Sequence, residues 1–336
     1  MQGGWTKSRG RAASLLLPGA LVLALAAGCS GGSGDEAVVG AASSPPGAVS
    51  DAQARVIVTT GYGAETVVDT SIALTKDTTA MQALQSVSDV GTAYGGGFVQ
   101  SINGIGETRI SRTDWFYAIN GVLANRGAAN EVLRDGDVEH WDFREWRFRR
   151  NVSATLGCFP SFFVNGYGGH VRPTVVACEP TFEAEGPAIA ARLEELGVED
   201  VDCIELSSLS DEWKEERNLI IVAGSGESLV RDVYARWDKL GLFAYLEDDV
   251  LSVFTASGEE AVVSGGDVGL LQPMQNPWNP SGIGACETVV ILVSGTDSDG
   301  VRSAAAALVE RGDIMATWCG AIVRNGVVAA IPLQPA

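Results

Sequence analysis

Residues 114–121 read Asp-Trp-Phe-Tyr-Ala-Ile-Asn-Gly, and this stretch decides the fold of the first half of the chain. Side chains of a β-strand alternate between its two faces, so Trp115 and Tyr117 should lie on the same face and make it aromatic. The Asn120-Gly121 pair that follows is typical of a type I′ hairpin turn, because both central residues of that turn need a positive φ. The stretch therefore predicts a strand with one aromatic face that ends in a tight turn.

The residues around this strand predict a small sheet with a single helix. The predicted elements are strands at 53–60 and 65–74, a helix at 78–87, and further strands at 98–103, 114–119 and 138–148. Thr78 or Thr79 can cap the helix, and a glycine-rich loop, Gly95–Gly97, follows it. Two strands, one helix and then more strands are the order of an α+β domain in which the sheet wraps the helix.

Four motifs in this half occur in the order in which a known family of domains has them. They are Thr-Thr-Ala-Met-Gln-Ala-Leu at 78–84, Phe-Val-Gln-Ser-Ile-Asn-Gly at 98–104, the stretch at 114–121, and Asp-Gly-Asp-Val-Glu-His-Trp at 135–141. Residues 53–146 thereby resemble the domain of unknown function DUF4430, which is similar to the C-terminal β domain of transcobalamin and intrinsic factor. The resemblance implies a β-grasp-like module over residues 51–150, of the kind that covers one face of cobalamin in those carriers.

The resemblance also implies a ligand, and the residues themselves offer a place for it. A corrinoid would be the bound ligand, and it would stack at a rim formed by Trp115, Tyr117, Asn120 and the loop residues Gly96 and Gly97. The alternative is that the aromatic residues pack in the core and that the Asn-Gly pair only forms its turn. Both interpretations stay open at the level of the sequence.

Residues 155–336 show a different sequence pattern, in which apolar runs alternate with helical segments. The apolar runs are at 174–178, 219–224 and 288–295, and they precede helices predicted at about 182–196, 226–240 and 299–311. Continuous Val and Ile runs are typical of buried parallel strands, so the pattern predicts an α/β module with βαβ units. Residues 271–280, rich in Pro and Asn, are predicted to form a structured loop of the kind that can close over a ligand.

The first fifty residues have the pattern of an exported lipoprotein. Basic residues precede an apolar stretch at 12–28, which is too short for a comfortable membrane span. The residues around Cys29 resemble a bacterial lipobox, which implies a signal peptide at 1–28 and a lipid on Cys29; the alternative is a cleaved signal with an incidental cysteine. Gly, Ser, Ala and Pro dominate residues 29–50, and this composition predicts a flexible tether. We therefore expect an extracytoplasmic protein, anchored to the cell membrane.

Disulfide bonds are allowed outside the cytoplasm. The cysteines after Cys29 are Cys158, Cys178, Cys203, Cys286 and Cys319. Five is an odd number, so at most two bonds can form, and one thiol is left over. The pairs closest in sequence are Cys158 with Cys178 and Cys286 with Cys319. With only two histidines in the chain and no Cys-x-x-Cys spacing, the sequence predicts no metal site.

The net charge of the chain makes two classes of binding partner unfavourable. A formal net charge of −19 disfavours nucleic acid and anionic lipid surfaces. Arg144, Arg147, Arg149 and Arg150 interrupt this acidic background, and we interpret them as part of an exposed edge strand that is protected by charge.

The motifs do not indicate catalysis, because no nucleophile elbow or metalloprotease motif occurs and histidines are scarce. The leading hypothesis is an anchored, non-enzymatic protein that binds a small molecule, a corrinoid by the resemblance, and hands it to a membrane importer. The alternative is a cell-envelope or adhesion protein whose first module docks a protein or glycan.

Overall fold

The computed structural model describes residues 52–106 and 112–334. The predicted signal peptide at 1–28, the predicted tether at 29–50 and the predicted lipidation site Cys29 lie outside the described residues. The elements of the first half are β1 (Gln53–Thr60), β2 (Glu65–Ala73), α1 (Ala80–Val87), β3 (Val90–Ala93), β4 (Phe98–Ile102), β5 (Ile105–Gly106), β6 (Thr113–Ile119), β7 (Val122–Leu123) and β8 (Val138–Glu145). A short 3₁₀ turn at Tyr94–Gly96 connects β3 to β4.

The first half is built on a mixed five-stranded sheet with the order β2-β1-β8-β6-β7. β8 lies at its centre, parallel to β1 and antiparallel to β6. Strands β3, β4 and β5 form a second, antiparallel sheet of three strands. Of the two predicted caps, Thr78 and Thr79, it is Thr79 that caps α1, and it forms a reciprocal capping box with Gln82 that satisfies two backbone N–H groups. The predicted α+β class is confirmed.

The described part of the second half contains five α-helices, and its main sheet has seven strands. Its elements are α2 (Cys158–Asn165), β9 (Thr174–Cys178), α3 (Glu185–Glu195), β10 (Val201–Glu205), α4 (Asp211–Glu216), β11 (Asn218–Val222), α5 (Ser228–Tyr234), β12 (Ala244–Glu247), β13 (Val250–Phe254), β14 (Glu260–Ser264), β15 (Val268–Gln275), β16 (Val289–Gly295), α6 (Ser298–Arg311), β17 (Ala321–Arg324) and β18 (Val327–Ala330). Three further 3₁₀ turns lie at Pro180–Phe182, Leu206–Ser208 and Gly312–Met315.

The seven strands are ordered β10-β9-β11-β16-β15-β17-β18, and the first four run parallel to one another. Every residue of β9, β11 and β16 is buried, as the continuous Val and Ile runs predicted. Asp297 caps α6 by accepting a hydrogen bond from the backbone N–H of Gly300, and Glu227 does the same for α5 through Leu229. β12, β13 and β14 form a separate antiparallel sheet.

The prediction of a loop at 271–280 is wrong for its first half, because these residues belong to β15, which is buried along its whole length. Pro273 suggested a loop, since proline cannot donate a hydrogen bond to a neighbouring strand. In the structure β15 pairs with β16 over its length, but its pairing with β17 ends at Leu271. Pro273 therefore lies where the strand has a neighbour on one side only.

The described residues of the two predicted modules, 51–150 and 155–336, lie in one compact unit. One cluster of buried apolar side chains runs through both, from Ala54 in β1 to Val323 in β17. The hairpin turn at Gly121 joins them: its carbonyl accepts a hydrogen bond from the backbone N–H of Thr155 at 2.8 Å. Among the described residues, no helix has the length and apolar character needed to cross a membrane.

Candidate functional site

The predicted rim does not form, because two of its residues are in the interior. Trp115 is 7% exposed and its indole N–H donates to the carbonyl of Ile105 at 3.2 Å. Asn120 is fully buried. The second half covers this turn, and a flat ligand could not stack there without separating the two halves.

Tyr117 is half-buried and already has a stacking partner. Its ring lies on Trp141 with the centroids 4.8 Å apart and the planes 19° from parallel. Its hydroxyl donates to the carbonyl of Arg126. Both the face and the polar end of Tyr117 are therefore used within the fold.

Asn120 holds the hairpin turn, a strand and the second half together. Its amide nitrogen donates to Asp137 Oδ1 and to the carbonyl of Gly166, each at 2.8 Å, and its oxygen accepts from the N–H of Val138 at 2.9 Å. These bonds use both N–H groups of the amide side chain and one of the two lone pairs of its oxygen. The role of Asn120 in this structure is to satisfy buried polar groups.

Asn120→Ala should lower the free energy of unfolding by about 2–4 kcal/mol, because it leaves three buried polar groups without their partner. Asn103→Ala is the matched control: Asn103 also precedes a glycine and has a φ of 51°, against 52° for Asn120. Asn103 is exposed, and its side-chain oxygen accepts the backbone N–H of the exposed Asp89 at 2.9 Å. We expect about 1 kcal/mol for the control, mostly from the left-handed backbone. Urea unfolding of both variants measures the difference, and equal losses would contradict the role given to Asn120.

The glycine loop is the one predicted site feature that lies at the surface. Tyr94, Gly95 and Gly96 have φ values of 51°, 73° and 94°, so three successive residues are left-handed. A Cβ atom on Gly95 or Gly96 would meet nothing within 4 Å. Tyr94 is 90% exposed and contacts the ring of Phe98 edge-on, at 6.2 Å between centroids. We call residues 94–98 the aromatic tip.

One face of the five-stranded sheet carries Trp115, Tyr117 and Trp141, and its other face carries a buried polar network. Thr59 Oγ1 lies 2.8 Å from His140 Nε2 and 2.8 Å from Asp142 Oδ1. The carboxylate of Asp142 also accepts the backbone N–H groups of Tyr62 and Gly63, each at 3.1 Å. Burial lowers the pKa of His140 to about 4, so its imidazole is neutral near pH 7.

Arg144 belongs to this network, and the prediction that it lies on an exposed edge strand is wrong. It is 5% exposed because β8 lies at the centre of the sheet. Its guanidinium carbon is 4.5 Å from the centroid of the Phe116 ring, and its Nη1 is 3.8 Å from Asp142. A cavity of about 10 Å³, enough for one water molecule, lies beside it. Nε and Nη2 of Arg144 have no hydrogen-bond partner among the described residues.

Arg149 is also buried, so the prediction of an exposed edge strand is wrong for this residue too. Its guanidinium carbon lies 4.0 Å from the ring centroid of Phe148 and 4.2 Å from that of Trp237, and its Nε donates to the carbonyl of Leu242 at 2.9 Å. The strand itself ends at Glu145, before this arginine. Arg149 thus connects the end of the first half to the β12–β14 region.

A carboxyl group that the sequence analysis missed lies under the aromatic face. Glu139 is fully buried, and its Oε1 accepts the indole N–H of Trp141 at 2.5 Å. Burial raises the pKa of Glu139 to about 8, although the bond from Trp141 opposes the shift. Its Oε2 has no hydrogen-bond partner among the described residues. The Glu-x-Trp spacing on β8 is the signal that both side chains share one face.

None of the five described cysteines is in a disulfide bond. The structure therefore contains neither a Cys158–Cys178 nor a Cys286–Cys319 disulfide bond. Cys178 instead lies beside Cys203, because the parallel register of β9 and β10 brings these strands together. Within residues 52–106 and 112–334, no group of three or more His, Cys, Asp or Glu side chains could hold a metal ion.

The comparisons with known proteins agree with part of the resemblance. Residues 77–145 match the model of a domain of unknown function, DUF4430. No curated protein matches the chain. A crystal structure at 1.30 Å of a candidate metal binding protein from Ruminococcus gnavus ATCC 29149 is similar at 15% identity, over 28% of this chain and 98% of that chain, with a TM-score of 0.23. A likeness this weak shows no shared function.

Proposed function

We propose that the protein is a non-catalytic binding protein of the cell envelope, which presents its aromatic tip to a small molecule with a flat apolar face. The observation that carries this proposal is the exposure of Tyr94, 90% of whose surface is accessible. A bulky residue with a positive φ is uncommon in proteins, and such outliers cluster at functional sites. Tyr94 and Phe98 both expose aromatic side chains, and the faces of such rings suit ligand stacking.

A corrinoid is the ligand class that the resemblance to the vitamin carriers implies, and its ring has the flat face that the tip requires. The lipid on Cys29 and the tether at 29–50 would hold the tip outside the cytoplasm, beside a membrane importer that receives the ligand. The match of residues 77–145 to DUF4430 supports the resemblance on which this step depends.

Docking of a glycan is a second candidate function, and a cleft of about 450 Å³ in the second half favours it. Tyr245, Glu247, Asp248 and Arg231 line this cleft. An aromatic ring with a few charged hydrogen-bonding groups is a typical lining of small-molecule sites. The Trp237 ring backs that of Tyr245 at 4.8 Å and so fixes its position.

Titration of the purified protein with cyano- and hydroxocobalamin tests the first function. We expect a dissociation constant below about 1 μM, which is roughly −8 kcal/mol, and a loss of at least about tenfold in Tyr94→Ala, because stacking contributes on the order of 1–3 kcal/mol. Val262→Ala, an exposed valine in another sheet, should bind like the parent. Absence of binding at about 100 μM would rule out the corrinoid, and glycan binding that depends on Tyr245 would select the second candidate.

A further inference from the structure

Two cysteines that the sequence analysis did not pair face each other in the seven-stranded sheet. Cys178 ends β9 and Cys203 lies in the middle of β10; the parallel register aligns Cys203 with Val176, which places both cysteines on the same face. A Cβ atom on Gly186, in α3 above them, would lie 2.6 Å from Sγ of Cys178 and 3.4 Å from Sγ of Cys203. The two sulfur atoms therefore meet under the one residue of α3 that has no side chain.

We propose that Cys178 and Cys203 form a disulfide bond when the protein meets an oxidised disulfide compound, and that this bond fixes β10 to the sheet. The geometry allows the small approach that a bond needs, because β10 is the edge strand of the sheet and all of its residues are only half-buried. Cys178, in contrast, lies on the fully buried β9 and stays in place. The proposal does not depend on which ligand the protein binds.

The two thiols have different roles in the reaction. Contact with the Cys178 thiol lowers the pKa of Cys203, and the same contact, with burial, raises the pKa of Cys178. Cys203 is also the more exposed of the two, so its thiolate is the attacking nucleophile. It attacks a sulfur of the external disulfide and releases one thiol, which leaves a mixed disulfide on Cys203. Cys178 then loses its proton and attacks Cys203 Sγ, which releases the second thiol.

The reaction balances in electrons and protons. The cysteine pair loses two electrons and two protons, and the external disulfide gains both to become two thiols. The remaining cysteines do not compete, since burial raises the pKa of Cys286 and of Cys319 to about 12 and raises the pKa of Cys158 further. A buried thiol of this kind does not attack a disulfide in solution. Cys178 is buried as well, but it reacts only in the second step, with the Cys203 sulfur that lies beside it.

The bond would enclose helix α3 in a covalent loop from residue 178 to residue 203. A cross-link stabilises mainly by restricting the unfolded chain, and it would also hold the sheet's edge strand, which is a weak point of any open sheet. Gly186 makes the arrangement possible, because any side chain there would force the two sulfur atoms and α3 apart.

Peptide mapping of the full protein tests the pair. The protein is incubated with oxidised glutathione, its remaining thiols are blocked, and it is digested with trypsin without reduction. Trypsin leaves Cys203 alone in the peptide 193–214, and it leaves Cys158 and Cys178 together in the peptide 151–192. We expect these two peptides to be linked, and two thiols to be lost. The link should persist in Cys158→Ser, which assigns it to Cys178, and it should be absent from Cys203→Ser.

Thermal unfolding provides a second measurement. Oxidation should raise the melting temperature by about 5 °C, and dithiothreitol should reverse the rise. Cys203→Ser should show no rise, while Cys319→Ser should behave like the parent. The proposal is overturned if both thiols remain titratable after oxidation, if Cys203 keeps glutathione as a stable mixed disulfide, or if the link moves to Cys158.

Discussion

Gly121→Ala should destabilise the protein by more than about 4 kcal/mol, a loss reached only by a short list of mechanisms. A Cβ atom at this position would lie 2.8 Å from Cα of Cys158, 2.5 Å from the carbonyl carbon of Gly157, and closer still to the backbone nitrogen of Cys158. Backbone atoms cannot move aside as a flexible side chain can. The variant must therefore separate the hairpin turn from the start of α2, and with it the first half from the second.

Gly104→Ala is the control that separates this clash from backbone strain. Gly104 also follows an asparagine in a tight turn and has a φ of 80°, against 76° at Gly121, but a Cβ atom there meets nothing within 4 Å. Strain alone should cost the control about 1–2 kcal/mol. Chemical and thermal unfolding measure both variants, and we expect the melting temperature of Gly121→Ala to fall by at least about 10 °C. Similar losses in the two variants would show that contact between the halves contributes little.

Local features of the fold could be predicted from the sequence because neighbouring residues determine them. The bounds of β1 at Gln53–Thr60 follow from alternation and flanking turn residues, and the start of α1 follows from Thr79 and its partner Gln82. The three buried parallel strands follow from their Val and Ile runs. Each of these predictions depends on residues only a few positions apart.

The candidate site could not be predicted, because contacts between distant residues decide which face of an element is covered. Asn120 is buried by a partner 46 positions away, the carbonyl of Gly166. Arg144 is buried because β1 pairs with β8 across some 80 positions and moves it from the edge of the sheet to its centre. Cys178 and Cys203 meet only after the chain has formed α3 and returned as a parallel strand.

One long-range pattern was nevertheless present in the sequence. His140, Asp142 and Arg144 occupy alternate positions of β8, as do Glu139 and Trp141 on the other face. Polar residues with a period of two predict a polar face of a strand, but the usual inference is that such a face meets solvent. Here the second half covers it, so the same alternation produces a buried network.

The carboxyl of Glu139 should make the protein less stable as the pH rises through neutrality. Its pKa is about 8 in the folded protein, against an ordinary value of 4.5, so the folded state binds a proton between these limits that the unfolded state has lost. Stability is therefore complete below about pH 4.5 and is lost as the pH rises to 8, by roughly 5 kcal/mol in total. Protonated Glu139 resembles a glutamine in shape and charge, and Glu139→Gln should remove this loss.

His140 sets the pH range in which the effect can be measured. Its folded pKa of about 4 lies below the ordinary 6.5, so the unfolded state binds the extra proton between these values and His140 makes stability rise with pH there. The two groups oppose each other from pH 4.5 to 6.5, and above pH 6.5 only Glu139 acts. Between pH 6.5 and 8 we expect the parent to lose roughly 2 kcal/mol, while Glu139→Gln changes little.

Urea unfolding at pH 5, 6.5 and 8, at one ionic strength, measures these slopes for the parent, for Glu139→Gln, and for Glu65→Gln as an exposed carboxyl of the same sheet. Glu65→Gln should follow the parent at every pH. In Glu139→Gln, His140 is the remaining one of these two titrating groups. The stability of this variant should therefore increase from pH 5 to 6.5 and then stay level. A variant that loses as much stability above pH 6.5 as the parent would show that Glu139 is already ionised in the folded protein. Its buried carboxylate would then need a compensating partner beyond the indole N–H of Trp141.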